Sequence, residues 1–229
     1  HIFFLDDNEE IIECAGFPVI GRTNEASDID GDKIVAIGNA EIRKRIQEKL
    51  ENLVTLIHPT AVISRRVEIG EGTVVMAGAV VNSDVVIGKG CIINTGASVD
   101  HDCKIGDYSH VSVGAHVAGT IEIGNKTWIG AGATVINDIS ICSDCIVGAG
   151  AVVVENLDKQ GTYVGIPAKE IWAVINTYNI PIFCKRIGIP IRRKWKIDGR
   201  NDDVNTNSFI SSFFDKWILY ILGYDGIWN

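Results

Sequence analysis

The stretch Ser98–His110, SVDHDCKIGDYSH, holds His101 and His110, two of the five histidines in the chain. An imidazole changes charge near neutral pH, so each can serve as a general base, a proton shuttle or a metal ligand. Asp102 follows His101 directly. A carboxylate there can orient the ring and raise its basicity. Three readings stand: a catalytic base, a metal site, or two surface histidines on a scaffold, the last being the commonest fate of an outward histidine. His58 and His116 are read as structural. The six cysteines include one C-x-x-C, Cys142 and Cys145, but no second pair at zinc-binding spacing. Small core-filling thiols in a reducing cytoplasm are the plainer reading, with a redox pair as the weaker one.

A repeat positions these residues. Stepping by six from Ile57 to Val153 gives seventeen consecutive positions, each Ile or Val. The residue four places after each is mostly small, as at Ala79, Cys91, Ala97, Cys103 and Ser109. A period of six is neither helical nor that of a long strand. It fits short strands joined by corners and stacked as a parallel β-helix. Gly70, Gly88, Gly106 and Gly124 recur every 18 residues, which sets three strands per coil. They are expected at corners, where glycine adopts backbone angles that other residues avoid.

The residues just before each clock position should face outward, and the three faces differ. One column reads Val74, Ile92, His110, Trp128, Ile146; a second Val80, Ser98, His116, Thr134, Val152; a third Val86, Lys104, Glu122, Ser140. The third is solvated. The first is apolar and must be covered, most simply by self-association into a homotrimer. His101 and His110 are nine residues apart, half a coil, so they lie on opposite sides of one prism and can meet only across a subunit interface. Gly119 follows His101 in its column and leaves a slot beside the imidazole.

Before the repeat, Ile2–Leu5 reads as a strand ending in Asp6-Asp7, and Ile34–Ile37 as a second strand. Ala40–Leu50 reads as a helix capped by Asn39, with Ile42, Ile46 and Leu50 on one face. Strand ends and helix starts are where nucleotides bind in such α/β units. The chain opens on His1 without methionine, which suggests a missing N-terminus. No apolar run is long enough to span a membrane, and no signal peptide is seen. Residues 1–171 carry a net −11 and residues 172–229 a net +3, giving −8 for the 229-residue chain. The acidic part argues against nucleic-acid binding. The division expected is therefore 1–56, an α/β unit; 57–171, the β-helix; and 172–229, an extension of unknown role. That extension holds Cys184, a basic cluster from Lys185 to Lys196, a linker NDDVNTNS and an apolar stretch FISSFFDKWILYIL, which together allow a peripheral membrane contact.

The hexapeptide clock, HDCKIGDYSHVSVGAHVAG, the closing GTYVGIPAKEI, and FFLDD and AIGNAEIRKRI upstream together resemble the left-handed β-helix acyltransferases. Within these they resemble the bacterial nucleotide-sugar N-acetyltransferases, of the kind that act on UDP-4-amino sugars to make N-acetylbacillosamine. The resemblance covers residues 1 to about 171. It implies a left-handed parallel β-helix preceded by a partial Rossmann-like unit in a cytoplasmic homotrimer. It implies acetyl-CoA as co-substrate, no metal, and a nucleotide-linked amino sugar as acceptor. By the same resemblance His101 is the general base and Asp102 its support. His110, Ala131 and Ala149 meet the acetyl-CoA, and Asp6, Asp7 and Gly38 hold the nucleotide sugar; Gly119, from its slot beside His101, is taken with the cofactor residues. Lys169 is placed for a CoA phosphate or for solvent. A member of the family has glutamate where this chain has Asp102, and the family has a glycine-rich turn before FFLDD that is absent here. Two alternatives use the same prism: O-acetylation of a sugar or sialic-acid hydroxyl, and a carbonic-anhydrase-like metal enzyme, which would need three converging histidines. An ice-binding rod would need a flat threonine face, which the columns lack.

Overall fold

A computed structural model describes residues 1–171; residues 172–229, with the basic cluster, linker, apolar stretch and membrane contact expected there, lie outside the described residues. From Leu56 to Val153 the chain forms seventeen two-residue strands at six-residue intervals. Each pairs in parallel with the strand 18 residues away, as Ser98 pairs with His116 and Lys104 with Glu122. The result is a three-sided parallel solenoid with sheets of eight, six and five strands. The first face contains the strand His110–Val111, the second Ser98–Val99 and the third Lys104–Ile105.

The clock residues fill the interior. All fourteen from Val75 to Val153 are 3% exposed or less. Each contributes roughly 1.5–3 kcal/mol gross on burial. A polar column lies among them. Thr73, Cys91, Ser109, Thr127 and Cys145 stack at 18-residue spacing under the corner between the third and first faces. Their side chains donate inward to carbonyls at that corner: Thr73 Oγ1 to Gly88 O at 2.9 Å, Cys91 Sγ to Gly106 O at 3.1 Å, and Ser109 Oγ to Gly124 O at 2.8 Å. Burial pushes the Cys91 thiol up to about 12, so it is a packed donor and not a reactive thiolate. Cys91, Cys103, Cys142 and Cys145 form no disulfide; Cys142 and Cys145 Sγ stand 3.4 Å apart.

The glycines spaced by 18 are glycine for another reason than the expected torsion. The left-handed torsions fall two residues later or at the next corner, as at Gly90 (φ 62°) and Gly114 (φ 61°). At Gly106, by contrast, a Cβ would come within 2.6 Å of the Asn125 amide nitrogen and 2.7 Å of the Gly124 carbonyl carbon in the next coil. Close stacking of coils, not backbone freedom, excludes a side chain there.

The first 55 residues form a smaller unit. Strands β1 (Phe4–Leu5), β2 (Glu13–Cys14) and β3 (Phe17–Gly21) make a sheet of order β1-β3-β2. The expected strand at 34–37 does not form; only Lys33 bridges Leu53, because this segment is used to cover the solenoid. Helix α1 (Ala40–Gln47) starts where expected, with Asn39 Oδ1 accepting from the Ile42 amide at 3.0 Å. Its fully buried residues, however, are Arg43 and Gln47, not the isoleucines. Arg43 donates from Nε to Gly90 O at 2.7 Å and from Nη2 to Tyr108 O at 2.7 Å, both on the solenoid. Its Nη1 donates to Ile37 O at 2.7 Å and Gly38 O at 2.8 Å within the unit. Gln47 Nε2 donates to Gly72 O at 3.1 Å. A helix that meets a stack of carbonyl-rich corners needs donors at its contact, which is why polar side chains took the buried face.

This docking changes the account of the apolar face. Val74 and Ile92 pack with Met76 against Ile34 and Leu56, so the lower part of the first face is covered by the chain itself. Its upper part stays open, with Trp128 45% and Ile146 44% exposed. The third face is solvated as expected, with Lys104 Nζ 2.8 Å from Glu122 Oε1. Among the described residues no helix is long and apolar enough to cross a membrane.

Candidate active site

His101 sits at the corner where the second face turns into the third, directly after Ser98–Val99. Its Nδ1 lies 2.8 Å from Asp102 Oδ2, so the shorter aspartate reaches the ring. A carboxylate only accepts, so Nδ1 carries the proton and Nε2 keeps its lone pair. The hydrogen bond that the ring donates to Asp102 holds the imidazole above its ordinary range of basicity, partly opposed by desolvation and aided by the charges of Asp100, Asp102 and Asp138.

Asp102 reaches the ring because its backbone is left-handed, φ 57°. The equivalent corner positions, Asp84, Thr120 and Asp138, share this torsion at 62°, 60° and 60°. Aspartate tolerates it better than most side chains. The corner therefore selects for aspartate on conformational grounds, and at one coil only a histidine precedes it.

Asp100 was not singled out from the sequence. Its Oδ1 accepts the His101 backbone N–H at 2.8 Å and a hydrogen bond from Asn82 Nδ2 at 2.6 Å. Asn82 first, then the His101 amide, holds the Asp100 carboxyl below its usual range. The signal was present in the spacing: Asn82 and Asp100 are 18 apart and so stack in adjacent coils.

Gly119 lies in the next coil under the imidazole. A Cβ there would fall 2.7 Å from both Cε1 and Nε2 of His101. The ring occupies the space that a side chain would take, which brings Nε2 over the backbone of the following coil. Among the described residues the Gly119 N–H has no backbone acceptor, whereas its neighbours Ala118 and Thr120 donate to Val135 O and His101 O.

The remaining sequence-chosen residues are placed separately. His110 is buried on the first face. Its Nε2 lies 3.0 Å from Asn94 Nδ2, and its ring stacks on Trp128 at 5.7 Å between centroids with a 6° tilt. Burial, with the charge of Arg43 second, pushes His110 down to about 3, so it is neutral at physiological pH. His116 pairs with Ser98 Oγ at 2.8 Å and His58 with Thr60 Oγ1 at 2.8 Å. Ala131 and Ala149 are exposed at the corner between the first and second faces and are stacked, with Gly150 N donating to Ala131 O at 2.9 Å. Asp6 and Asp7 end β1: Asp6 Oδ1 accepts from Asn8 N at 2.7 Å, and Asp7 Oδ1 from Thr23 N at 3.0 Å. Gly38 precedes the α1 cap, its carbonyl held by Arg43. Lys169 pairs with Glu155 at 2.5 Å. Among the described residues no three His, Cys, Asp or Glu side chains converge as metal ligands.

Comparison with known proteins agrees with this architecture. Residues 1–50 match the PglD N-terminal domain, and residues 120–154 the bacterial transferase hexapeptide (six repeats). The acetyltransferase domain of PglB from Neisseria gonorrhoeae, solved in complex with acetyl coenzyme A, is 41% identical with a TM-score of 0.70; the alignment covers 74% of this chain and 85% of that one. The chain belongs to the hexapeptide-repeat acetyltransferases. A second member of this kind, PerB from Caulobacter crescentus, solved with CoA and GDP-perosamine, is 39% identical with a TM-score of 0.65 over 69% of this chain and 80% of that one. UDP-N-acetylbacillosamine N-acetyltransferase of Bacillus subtilis is 46% identical over 48 residues, a match spanning 22% of that relative's length. In this hexapeptide-repeat acetyltransferase the residues that sequence reasoning missed are Asn82 and Asp100, which hold the His101 amide, and Arg43, which holds the Gly38 carbonyl.

Proposed function

We propose that the chain transfers an acetyl group from acetyl-CoA to the amino group of a nucleotide-linked amino sugar, with His101 as general base. The observation that carries this reading is the contact of His101 Nδ1 with Asp102 Oδ2, which leaves Nε2 over Gly119. It is supported by the relatives solved with acetyl coenzyme A and with CoA and GDP-perosamine. UDP-4-amino-4,6-dideoxy sugars are the acceptor class tested first, given the Bacillus relative.

The co-substrate supplies an acetyl carbon activated as a thioester. The protein supplies the rest. His101 Nε2 accepts a proton from the attacking amine as the C–N bond forms and the C–S bond breaks, and then returns it to the departing thiolate. Asp102 stabilises the imidazolium in between. The Gly119 N–H is the backbone donor next to Nε2 for the carbonyl oxygen as it gains charge. The exposed, stacked corner of Ala131 and Ala149 offers backbone groups in consecutive coils along which an extended pantetheine arm fits. Asp6, Asp7 and Gly38 take the nucleotide sugar at the end of β1 and the start of α1. His110, buried and neutral, acts on the cofactor side by fixing Asn94 and Trp128. The open upper first face, Trp128 and Ile146, is the surface on which three chains associate, so that His101 of one chain faces the cofactor groove of the next.

Purified protein is expected to consume acetyl-CoA with one of a panel of UDP-, dTDP- and GDP-linked amino sugars, and to show three times the chain mass by light scattering. No consumption with any amine acceptor would refute the activity; a monodisperse monomer would refute the assembly. The rate should also rise with pH through the titration of His101, because only the neutral ring is a base. Asp102 raises that titration point, so Asp102→Asn should move the acid limb of the kcat/KM profile to lower pH and lower kcat about 10-fold. An unmoved acid limb would mean that Asp102 serves only the corner torsion.

A further inference from the structure

One polar side chain beyond the imidazole stands at the reacting edge. Asn137 is the next residue in the column of His101 and Gly119, one coil further on, and it is exposed. The point where a Gly119 Cβ would lie is 2.7 Å from His101 Nε2 and 3.3 Å from Asn137 Nδ2. The two nitrogens are therefore at most about 6 Å apart, a gap that one reacting centre spans with a hydrogen bond on each side. No other side chain of the column competes for that place. Ser83 lies in the coil before His101, and Glu155, one coil beyond Asn137, is paired with Lys169 at 2.5 Å.

We propose that Asn137 Nδ2 is a second hydrogen-bond donor to the thioester carbonyl oxygen, working with the Gly119 N–H. The inference rests on the acetyl-transfer reading above. The amine must lie against Nε2 to lose its proton. The carbonyl oxygen then lies within about 2.5 Å of that amine nitrogen at the tetrahedral carbon, on the side that Asn137 faces. A carboxamide suits the task because it is neutral, keeps its donor at every working pH, and does not perturb the titration of the adjacent ring. The torsion of Asp138, φ 60°, fixes the corner that carries Asn137, just as the torsion of Asp102 fixes the corner that carries His101.

The test is steady-state kinetics of the full chain and of Asn137→Ala and Asn137→Asp, with acetyl-CoA and the amino-sugar nucleotide that the wild type accepts. Asn137→Ala should lower kcat about 10²-fold, with both KM values within about threefold and the acid limb of the pH profile unmoved. Asn137→Asp, isosteric but anionic beside a developing negative charge, should fall below Asn137→Ala; it also carries the test if the alanine variant does not fold. A kcat within about threefold of wild type in both variants overturns the proposal. So does a raised KM for acetyl-CoA at normal kcat, which would make Asn137 a contact of the pantetheine arm. A shifted acid limb in Asn137→Ala overturns it too, by showing action through His101. A wild-type chain that transfers to no amine removes the underlying reading first and this one with it, whereas an active wild type with active variants removes this one alone.

Discussion

His101→Ala is expected to lower turnover by about 10²- to 10⁴-fold while both substrates still bind. The ring is half-exposed at a corner and holds no part of the core, so its loss leaves the solenoid intact; its side chain makes one hydrogen bond, to Asp102. The interior clock residues and the corner carbonyl bonds do not involve it. In the proposed mechanism, what disappears is the acceptor for the amine proton. The proposed backbone donor at Gly119 and the proposed cofactor groove remain, so activity is expected to fall without vanishing. Stopped-assay turnover with a thermal melt of the same sample checks both halves of the expectation. Turnover within a few-fold of wild type would remove His101 from its role.

Arg43→Ala has the largest expected effect on stability, roughly 3–5 kcal/mol on the docking of the N-terminal unit. Arg43 is 1% exposed and donates to four carbonyls, two on each side of the contact. Burial lowers it to about 10, so it stays charged at neutral pH. Among the described residues no carboxylate pairs with it; the carbonyl dipoles of Ile37, Gly38, Gly90 and Tyr108 balance its charge. Alanine strands all four and leaves a cavity next to Gln47, whose Oε1 is already a buried acceptor without a donor. The solenoid keeps its own strand ladders, so the loss is local. Hydrogen exchange should show α1 amides deprotected with solenoid amides unchanged, and the nucleotide-sugar KM should rise because Gly38 loses its anchor. Wild-type protection of α1 in the variant would disprove the clamp.

The periodic part of the molecule was readable because its contacts are periodic. In a three-sided solenoid each residue touches the one 18 positions on, so a column written from the sequence is a column in space. His101 over Gly119, Ala131 beside Ala149, and the solvated third face all follow from that one number. The torsion that brings Asp102 onto the ring also follows from position, since four successive coils, at Asp84, Asp102, Thr120 and Asp138, make the same corner.

The sequence by itself determined the solenoid, its inner residues and the corner on which the candidate base stands, because covalent spacing and spatial spacing are there the same quantity. Only the tertiary structure decided what covers the lower first face, why Arg43 and not Ile42 is buried, and that His110 is a packed neutral ring. The burial of Arg43 joins residues 47 and 65 positions apart, with no repeat between the partners. It depends on how a helix meets a wall of carbonyls, and donors satisfy such a wall where methyl groups leave it unpaired. The same holds for the glycines spaced by 18: the sequence showed where they recur, and only the stacked coils showed that contact, not torsion, forbids anything larger.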